Sequence, residues 1–324
     1  MRSNDDENTS SKEWSLVMNS HQPVAHNAPV APDHDALQSR INASWAAPIK
    51  RPRQEVDLDA YFARIGYDGP REATLEVLQT LHAMHPATIP FEAIDVFNDT
   101  PISIDPERVD QKLIHDGRGG YCFEQNGLFR RVLRSLGFEV EGLAGRVLWG
   151  YGPNDMPRPR CHMANRVMID GEAWLADVGL GGCVPTGPLL LDIETPQATP
   201  HDTYRVTKGA HSYRIELERD GVWKPVHEVD IAPVSDIDYE VMNWYASDHP
   251  ESGFCRTLMV ARSAPFARFT LLNNRLTIRL VTGEEEQHTL SVGDIPQTLK
   301  DIFGIEPDPA WRGAFARLVN HSHV

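Results

Sequence analysis

The chain has 324 residues, of which 41% are hydrophobic and 24% charged, a composition typical of a globular protein long enough to bury a large core without disulfide or metal support. Its formal net charge of −15 excludes the broad positive field that nucleic acid or an anionic membrane requires. No apolar run approaches the ~20 residues of a membrane span, and the polar start MRSNDDENTSSKEW lacks a secretory h-region, so a cytoplasmic protein is expected.

The first part of the chain differs in composition from the rest. Residues 1–54 are rich in Ser, Asn, Asp, His and Pro and show no sustained apolar period. Such a segment cannot bury enough apolar surface to offset its ordering entropy. The pattern therefore predicts a disordered N-terminal extension over residues 1–54.

Helical patterns follow. Asp57 is expected to cap a first helix that ends at Gly66. A second helix is predicted next, and a third, weaker one over residues 107–115. The fourth begins near Cys122 and carries apolar residues at i, i+3, i+4 and i+7.

After Phe138 the pattern changes to strands joined by tight turns. Asp170-Gly171, Asp220-Gly221 and Asn273-Asn274 each separate two alternating runs. Asp-Gly between such runs is the strongest short-range signal of a β-hairpin. Two more helices are predicted near the end of the chain, over 295–303 and 309–319. Helices followed by antiparallel strands and a mixed tail favour an α+β fold over alternating β-α-β units.

One cysteine stands in a distinctive setting, the segment RGGYCFEQN at 118–126. Two glycines permit a sharp turn, and Cys122 then falls in the first turn of a helix, where the positive end of the helix dipole stabilises the reactive thiolate. Cys122 is therefore a candidate nucleophile. The four cysteines form no C-x-x-C pair, which argues against a disulfide framework and a structural zinc site.

The first hairpin supplies a partner for that thiol. If the Asp170-Gly171 loop has two residues, its register places Asp177 on the same face as His162, as diagonal neighbours with backbones ~7–8 Å apart. A carboxylate that holds an imidazole in one tautomer is half of a catalytic triad. With Cys122, the pair would complete a nucleophile, base and orienting group.

These motifs resemble the arylamine N-acetyltransferase family, from about residue 57 to the C-terminus. The separations of 40 and 15 residues between Cys122, His162 and Asp177 also fit that family. The matching segments occur in the family's order: DLDAYFARIGYDGP, LHAMHPATIPFEAID, RGGYCFEQN, CHMANRV, ADVGLGG and TLLNNRLTIR.

The resemblance implies an α+β fold of three parts around a papain/transglutaminase-like Cys-His-Asp core. A helical bundle over residues 55–140 would carry the nucleophile, and a central antiparallel β-barrel over 141–245 would carry the histidine and the aspartate. An α/β lid would occupy residues 246–324.

The resemblance also implies acetyl-CoA-dependent N-acetylation of arylamines and arylhydrazines. Cys122 would attack the thioester of acetyl-CoA and hold the acetyl group in a ping-pong cycle, while His162 activates the thiol and Asp177 orients His162. Acetyl-CoA would be a co-substrate rather than a permanently bound cofactor, and no metal is expected. The chain would act as a monomer or homodimer.

The same resemblance implies that further residues support the site or contact its ligands. Arg118 and Glu92 would form a structural ion pair that fixes the cysteine turn, and Glu124 and Asn126 would support it. Leu180 stands where the family commonly has Phe, which could reshape the pocket. The contacts implied are Gly179, Gly181, Gly182 and Phe254 for the acyl donor, and Phe123 and Leu180 for the substrate pocket.

Three alternatives remain open at this point. A cysteine hydrolase or transglutaminase shares the Cys, His, Asp chain order. A relative within the same family would use another donor, such as malonyl-CoA, or join a tethered acyl chain as an intramolecular amide synthase. A non-catalytic binding protein on the same scaffold would be expected to lack part of the triad, whereas all three residues are present.

Overall fold

The computed structural model describes residues 55–152 and 155–318. The predicted disordered extension over residues 1–54 lies outside the described residues. Within them, no helix is both long enough and apolar enough to cross a membrane.

The first part of the described chain is helical. Asp57 accepts a hydrogen bond from the Ala60 N–H at 3.0 Å, and Gly66 ends the first helix at φ +75°, which confirms both predicted ends. The third predicted helix is α-helical at its start and continues as a π-helical turn, Gln111–His115. The elements are α1 (Leu58–Ile65), α2 (Leu75–Thr88), β1 (Phe91–Glu92), α3 (Ile94–Phe97), α4 (Pro106–Asp110) and α5 (Cys122–Ser135).

An eight-stranded antiparallel sheet follows, in the order β5-β4-β3-β2-β9-β8-β7-β6. Ile169 pairs with Glu172 and Arg219 with Val222, as the two Asp-Gly turns predicted. A short 3₁₀ turn, Gly181–Cys183, separates β4 from β5. The strands are β2 (Glu139–Val147), β3 (His162–Ile169), β4 (Glu172–Ala176), β5 (Leu189–Leu190), β6 (Gln197–Ala198), β7 (Thr203–Lys208), β8 (Ser212–Arg219) and β9 (Val222–Asp230).

The two edge strands of this sheet are joined by one side chain. Leu190 of β5 donates its N–H to Oε1 of Gln197 on β6 at 2.8 Å, and the Gln197 amide donates back to the Leu190 carbonyl at 2.9 Å. The sheet therefore nearly closes into a barrel around a core of buried apolar residues that includes Leu175, Tyr204 and Ile215.

The rest of the chain builds a second antiparallel sheet with helices beside it. Its order is β1-β10-β11-β12-β13, and Leu272 pairs with Arg275 across the predicted Asn273-Asn274 turn. The elements are α6 (Asp236–Asp248), α7 (Gly253–Arg256), β10 (Met259–Ala264), β11 (Ala267–Leu272), β12 (Arg275–Leu280), β13 (Glu285–Thr289), α8 (Ile295–Asp301) and α9 (Arg312–Ala316), with 3₁₀ turns at Val292–Asp294 and Pro309–Trp311.

The first of the two predicted C-terminal helices is shorter than its pattern suggested, and the second is helical over 309–318 but only partly α-helical. The first ends at Asp301, before Gly304 adopts φ +70°, a conformation that favours glycine and stops a helix. The second starts as a 3₁₀ turn before α9, and residue 319 lies outside the described chain. The order of helices and antiparallel strands confirms the α+β class, while the three domain boundaries stay a prediction.

The two-residue strand β1 links the helical part to the second sheet. In β1, Phe91 pairs with Ala261 and Glu92 with Val260 of β10. On its other side, the Glu92 N–H donates to the Gly120 carbonyl at 3.0 Å. The turn that carries Cys122 is therefore backed by a strand of the second sheet.

Candidate active site

Cys122 is the first residue of α5 and is buried. The helix begins with one half of a capping box, since the Tyr121 N–H donates to Oε2 of Glu124 at 3.0 Å. A Cβ on Gly119 would lie 2.1 Å from the Pro90 carbonyl oxygen. A side chain cannot fit there, so the turn before the nucleophile requires glycine at this position.

A cluster of five charged side chains surrounds the turn. Arg118 donates to Glu92 at 2.6 Å and to Asp95 at 2.8 Å, and Lys112 donates to Glu124 and contacts Asp95, each at 2.8 Å. Burial disfavours both positive charges, but the carboxylates outweigh it and raise the pKa of Lys112 and of Arg118. Burial raises the pKa of Glu124, and Lys112 opposes this. The predicted ion pair of Arg118 and Glu92 thus lies within a larger network.

Replacing Arg118 with glutamine is expected to lower the free energy of unfolding by about 3–5 kcal/mol, because the fully buried Glu92 loses its cation. Arg71→Gln is the matched control. It breaks an ion pair whose side chains are 55% and 80% exposed, and it should cost under ~1 kcal/mol. Urea unfolding of both variants checks the difference, and equal costs would contradict a supporting role for the buried pair.

The His162 imidazole and the Asp177 carboxylate are in direct contact. Nε2 of His162 lies 2.6 Å from Oδ2 of Asp177, and both side chains are buried. The β3–β4 register runs to the pair Asn165 and Ala176, so Asp177 immediately follows the last paired residue. The hairpin expected from the sequence brings the two residues together.

Burial and ion pairing shift the pKa values of His162 and Asp177 in opposite directions. Burial disfavours charge on both groups, but the carboxylate raises the pKa of His162 above its ordinary value. The imidazole, with smaller contributions from His227 and the Asn126 amide, holds the pKa of Asp177 below its usual range. The carboxylate therefore stabilises the imidazolium, the form that His162 takes once it has accepted a proton.

The thiol lies at the other side of the imidazole. A hydrogen bond with Cys122 is a further cause of the raised pKa of His162. Because Nε2 faces Asp177, Nδ1 is the ring nitrogen left for the thiol. The Cys122 sulfur also lies 3.7 Å from the carbonyl oxygen of Cys161. Thiol, imidazole and carboxylate are arranged in series, an order that suits nucleophilic catalysis.

Asn126 connects helix α5 to the segments that carry His162 and Asp177. Its amide nitrogen donates to the Met163 carbonyl at 2.6 Å and to Oδ1 of Asp177 at 2.9 Å, and its oxygen accepts the Val178 N–H at 3.0 Å. The side chain is fully buried. Asn126 therefore fixes the position of Asp177 relative to α5.

Replacing Asn126 with alanine is expected to lower the free energy of unfolding by about 2–4 kcal/mol, because buried polar groups of Met163 and Val178 lose their partner. The control is Gln297→Ala, which removes an exposed amide bonded to Asp301 and should cost under ~0.5 kcal/mol. Thermal unfolding of the two variants gives the comparison. A cost for Asn126→Ala as small as that of the control would exclude this role.

Two histidines beside Asp177 were not predicted from the sequence. Nε2 of His82, on α2, accepts the Asp177 backbone N–H at 3.1 Å. His227, on β9, places Nε2 3.5 Å from Oδ2 of Asp177 and its ring edge-on to His162, with centroids 5.2 Å apart. Burial lowers the pKa of His82 to about 4 and of His227 to about 3. No motif marked either residue, because the contacts depend on packing between distant segments.

The glycine loop after Asp177 packs against Cys122. A Cβ on Gly179 would lie 2.9 Å from the Cys122 Cα, and one on Gly182 would lie 2.8 Å from Oγ1 of Thr270. Gly181 has φ +66°. The loop thus passes closely between α5 and β11, and its predicted role in binding the acyl donor stays a prediction.

The three predicted pocket residues differ in exposure. The Phe254 ring lies 5.5 Å from that of Tyr121, and its side chain is half-buried, as is that of Leu180. Phe123 is 2% exposed and packs between Tyr121 and Tyr239, with ring centroids 5.6 and 6.1 Å away. Phe254 and Leu180 retain surface for a ligand, whereas Phe123 is enclosed among buried aromatics.

Comparison with known proteins gives one consistent result. A family model described as N-acetyltransferase matches residues 74–311. An arylamine N-acetyltransferase of Mycobacterium tuberculosis is 36% identical over 269 residues, which cover 82% of this chain and 95% of the relative. The solved structure of the arylamine N-acetyltransferase from M. tuberculosis superposes with a TM-score of 0.77 at 35% identity, covering 80% of this chain and 99% of that one. A Mycobacterium marinum arylamine N-acetyltransferase in complex with CoA also gives a TM-score of 0.77, at 33% identity over 82% and 99% of the two chains.

Proposed function

The chain belongs to the arylamine N-acetyltransferase family, and on this basis we propose that it transfers acetyl groups from acetyl-CoA to arylamines or arylhydrazines in a ping-pong cycle through an acetyl-Cys122 intermediate. The observation that carries the proposal is the series of Cys122, His162 and Asp177, with 2.6 Å between imidazole and carboxylate. Family membership also disfavours the hydrolase alternative.

In the first half-reaction, Nδ1 of His162 takes the thiol proton of Cys122, and the sulfur attacks the thioester carbon of acetyl-CoA. The carbon–sulfur bond to CoA breaks, CoA leaves with the proton that His162 returns, and the acetyl group stays on Cys122. Asp177 stabilises the imidazolium that forms in between, which is consistent with the raised pKa of His162.

In the second half-reaction, the amine nitrogen attacks the acetyl-cysteine. His162 takes a proton from that nitrogen, the bond between the acetyl carbon and the Cys122 sulfur breaks, and the sulfur regains the proton. Acetyl-CoA is thus a co-substrate consumed in each turnover. Both steps require an imidazole nitrogen about 3 Å from the sulfur or nitrogen atom whose proton it transfers.

The acyl donor is proposed to follow the glycine loop. Gly179 lies against the Cys122 backbone, so a molecule extended along Gly179, Gly181 and Gly182 would reach the thiol. The half-buried Phe254 and Leu180 would border the acetyl and amine site, with Phe123 supporting it from behind. The M. marinum relative is described in complex with CoA, which agrees with a CoA thioester as donor.

Intact-protein mass spectrometry after mixing with acetyl-CoA, without amine, tests the proposal. The wild type should gain one acetyl group and lose it when an arylamine is added. Cys122→Ala should gain none. Cys161→Ala is the matched control, because burial raises the pKa of this neighbouring thiol to about 12, and it should still be acetylated.

The other outcomes separate the alternatives. An adduct with malonyl-CoA but none with acetyl-CoA would retain the family and change the donor. Absence of an adduct with any acyl-CoA would contradict the acyl-enzyme mechanism. Acetylation that persists in Cys122→Ala and disappears in Cys161→Ala would show that Cys161, and not Cys122, is the nucleophile.

A further inference from the structure

His227 is a buried imidazole on β9 that faces Asp177. Neither of its ring nitrogens is satisfied by any group of the described residues, although the side chain is fully buried. Its Nε2 points at Oδ2 of Asp177 from 3.5 Å, beyond a normal hydrogen bond. An unsatisfied buried imidazole costs free energy. His227 therefore has free coordinating capacity directed at the catalytic carboxylate.

Three potential ligand atoms converge beside Asp177. One atom each from His162, Asp177 and His227 lies within 4.8 Å of the other two. Tetrahedral zinc holds its ligand atoms about 3.3 Å apart, from bonds of about 2.0–2.1 Å. The 3.5 Å between His227 and Asp177 already fits this spacing. The 2.6 Å between His162 and Asp177 must open by less than about 1 Å.

From this geometry we infer that the protein binds one divalent transition-metal ion of the zinc type between Nε2 of His162, Oδ2 of Asp177 and Nε2 of His227, and that the bound ion inhibits the enzyme. Two imidazole nitrogens and one carboxylate oxygen suit Zn²⁺ or Co²⁺, whereas Mg²⁺ prefers oxygen ligands alone. The inhibition rests on the proposed acetyl transfer, because the site uses two residues that this reaction needs free.

The carboxylate is held in an orientation suited to such a ligand. Its Oδ1 accepts hydrogen bonds from the Asn126 amide at 2.9 Å and the Gly179 N–H at 3.0 Å, which leaves Oδ2 directed at the two histidines. Partners that orient a ligating carboxylate in this way typically strengthen metal binding. The aspartate also supplies the negative charge that makes burial of a dication possible.

Inhibition follows from the position of the remaining imidazole proton. When the ion bonds to Nε2 of His162, the proton shared with Asp177 is transferred from that nitrogen to Nδ1 by way of solvent, so the ring stays neutral and carries its one proton on Nδ1. Nδ1 then cannot accept the proton of Cys122. The exchange forms metal–nitrogen and metal–oxygen bonds, involves no oxidation or reduction, and leaves the sulfur uncoordinated. A chelator should therefore restore activity completely.

Cobalt titration of the full-length Cys122→Ala protein tests the site without the nucleophile. Visible absorption of Co²⁺ should report one bound ion per chain, displaced by Zn²⁺ and not by Mg²⁺. Adding His227→Phe should weaken binding by at least about 10-fold, since loss of a direct ligand exceeds the usual cost of losing its supporting partner. His227→Gln serves the same purpose if the phenylalanine variant does not fold.

Two control variants in the same background test whether histidines outside the proposed site bind the ion. His288 lies 3.4 Å from Glu286 on the surface, so His288→Gln should leave Co²⁺ affinity unchanged. A double change of His321 and His323 to alanine should do the same. Absence of stoichiometric binding, equal affinity with and without His227, or binding that follows either control would overturn the proposal. So would Zn²⁺ binding to the wild type without loss of turnover.

Discussion

Replacing Asp177 with asparagine is expected to lower kcat by about 10³–10⁴-fold, with little change in fold. The hydrogen bonds around the carboxylate determine how the new amide would sit. Two donors, the Asn126 amide and the Gly179 N–H, point at Oδ1, so the amide oxygen must occupy that position. The amide nitrogen then replaces Oδ2 and donates to Nε2 of His162. The imidazole proton moves to Nδ1, and this nitrogen can then no longer accept the Cys122 proton.

The rate of acetyl-enzyme formation, measured by rapid mixing with acetyl-CoA, isolates this effect from the later steps. Asp110→Asn is the control, because this carboxylate pairs with Arg131 outside the site, and its rate should stay within a few-fold of the wild type. A loss smaller than about tenfold in Asp177→Asn would show that the tautomer of His162 is not set by Asp177.

The folded protein is expected to lose stability steeply as pH falls from about 6.5 toward 4. Burial lowers the pKa of His82 to about 4, of His85 to about 3 and of His227 to about 3. In the unfolded chain these groups bind protons below about pH 6.5. In this range the unfolded state therefore holds up to three more protons than the folded state, and acid favours unfolding.

The expected slope is roughly 4 kcal/mol per pH unit at its steepest, from about 1.4 kcal/mol for each histidine. His162 does not offset it, because its raised pKa contributes stability that is fully present below about pH 6.5 and is lost as pH rises through the folded value. The raised pKa of Glu124 works in the opposite sense and reduces the slope at the acid end.

Urea unfolding at several pH values between 7.5 and 5 would measure this slope. His85→Gln should reduce it by about a third, since one of the three titrating groups is removed. His288→Gln changes an exposed histidine and should leave the slope as it is. A free energy of unfolding that stays constant between pH 6.5 and 5 would show that the three histidines are protonated in the folded state.

Much of the candidate site follows from local sequence signals. The Asp170-Gly171 turn determines the register of β3 and β4, and that register alone predicts that His162 and Asp177 are neighbours. The glycines before Cys122 predict a tight turn into a helix, and the structure shows why, since a Cβ on Gly119 would collide with the Pro90 carbonyl. Such features depend on short stretches of chain and on fixed backbone geometry.

Contacts between distant segments could not be predicted in this way. The two-residue strand β1 has no alternating pattern, and its pairing with β10 depends on the whole second sheet. Helix α6 exposes Ile237, Val241 and Trp244, so its apolar residues do not mark one buried face. His227 reaches Asp177 only because β9 pairs with β2, a relation between strands that no local motif encodes.

The pairing of β1 with β10 also determines when, during synthesis, the support behind the turn of Cys122 is complete. Glu92 pairs with Val260, so roughly 170 further residues, or about 10–30 s of translation at 5–20 residues per second, separate the two strands on the ribosome. Until then β1, which backs the turn of Cys122, lacks its partner strand β10. Chains that stop before residue 260 contain Cys122, His162 and Asp177 and still lack a complete β10, the strand that pairs with β1. The proposed catalytic competence is thereby linked to near-completion of the polypeptide.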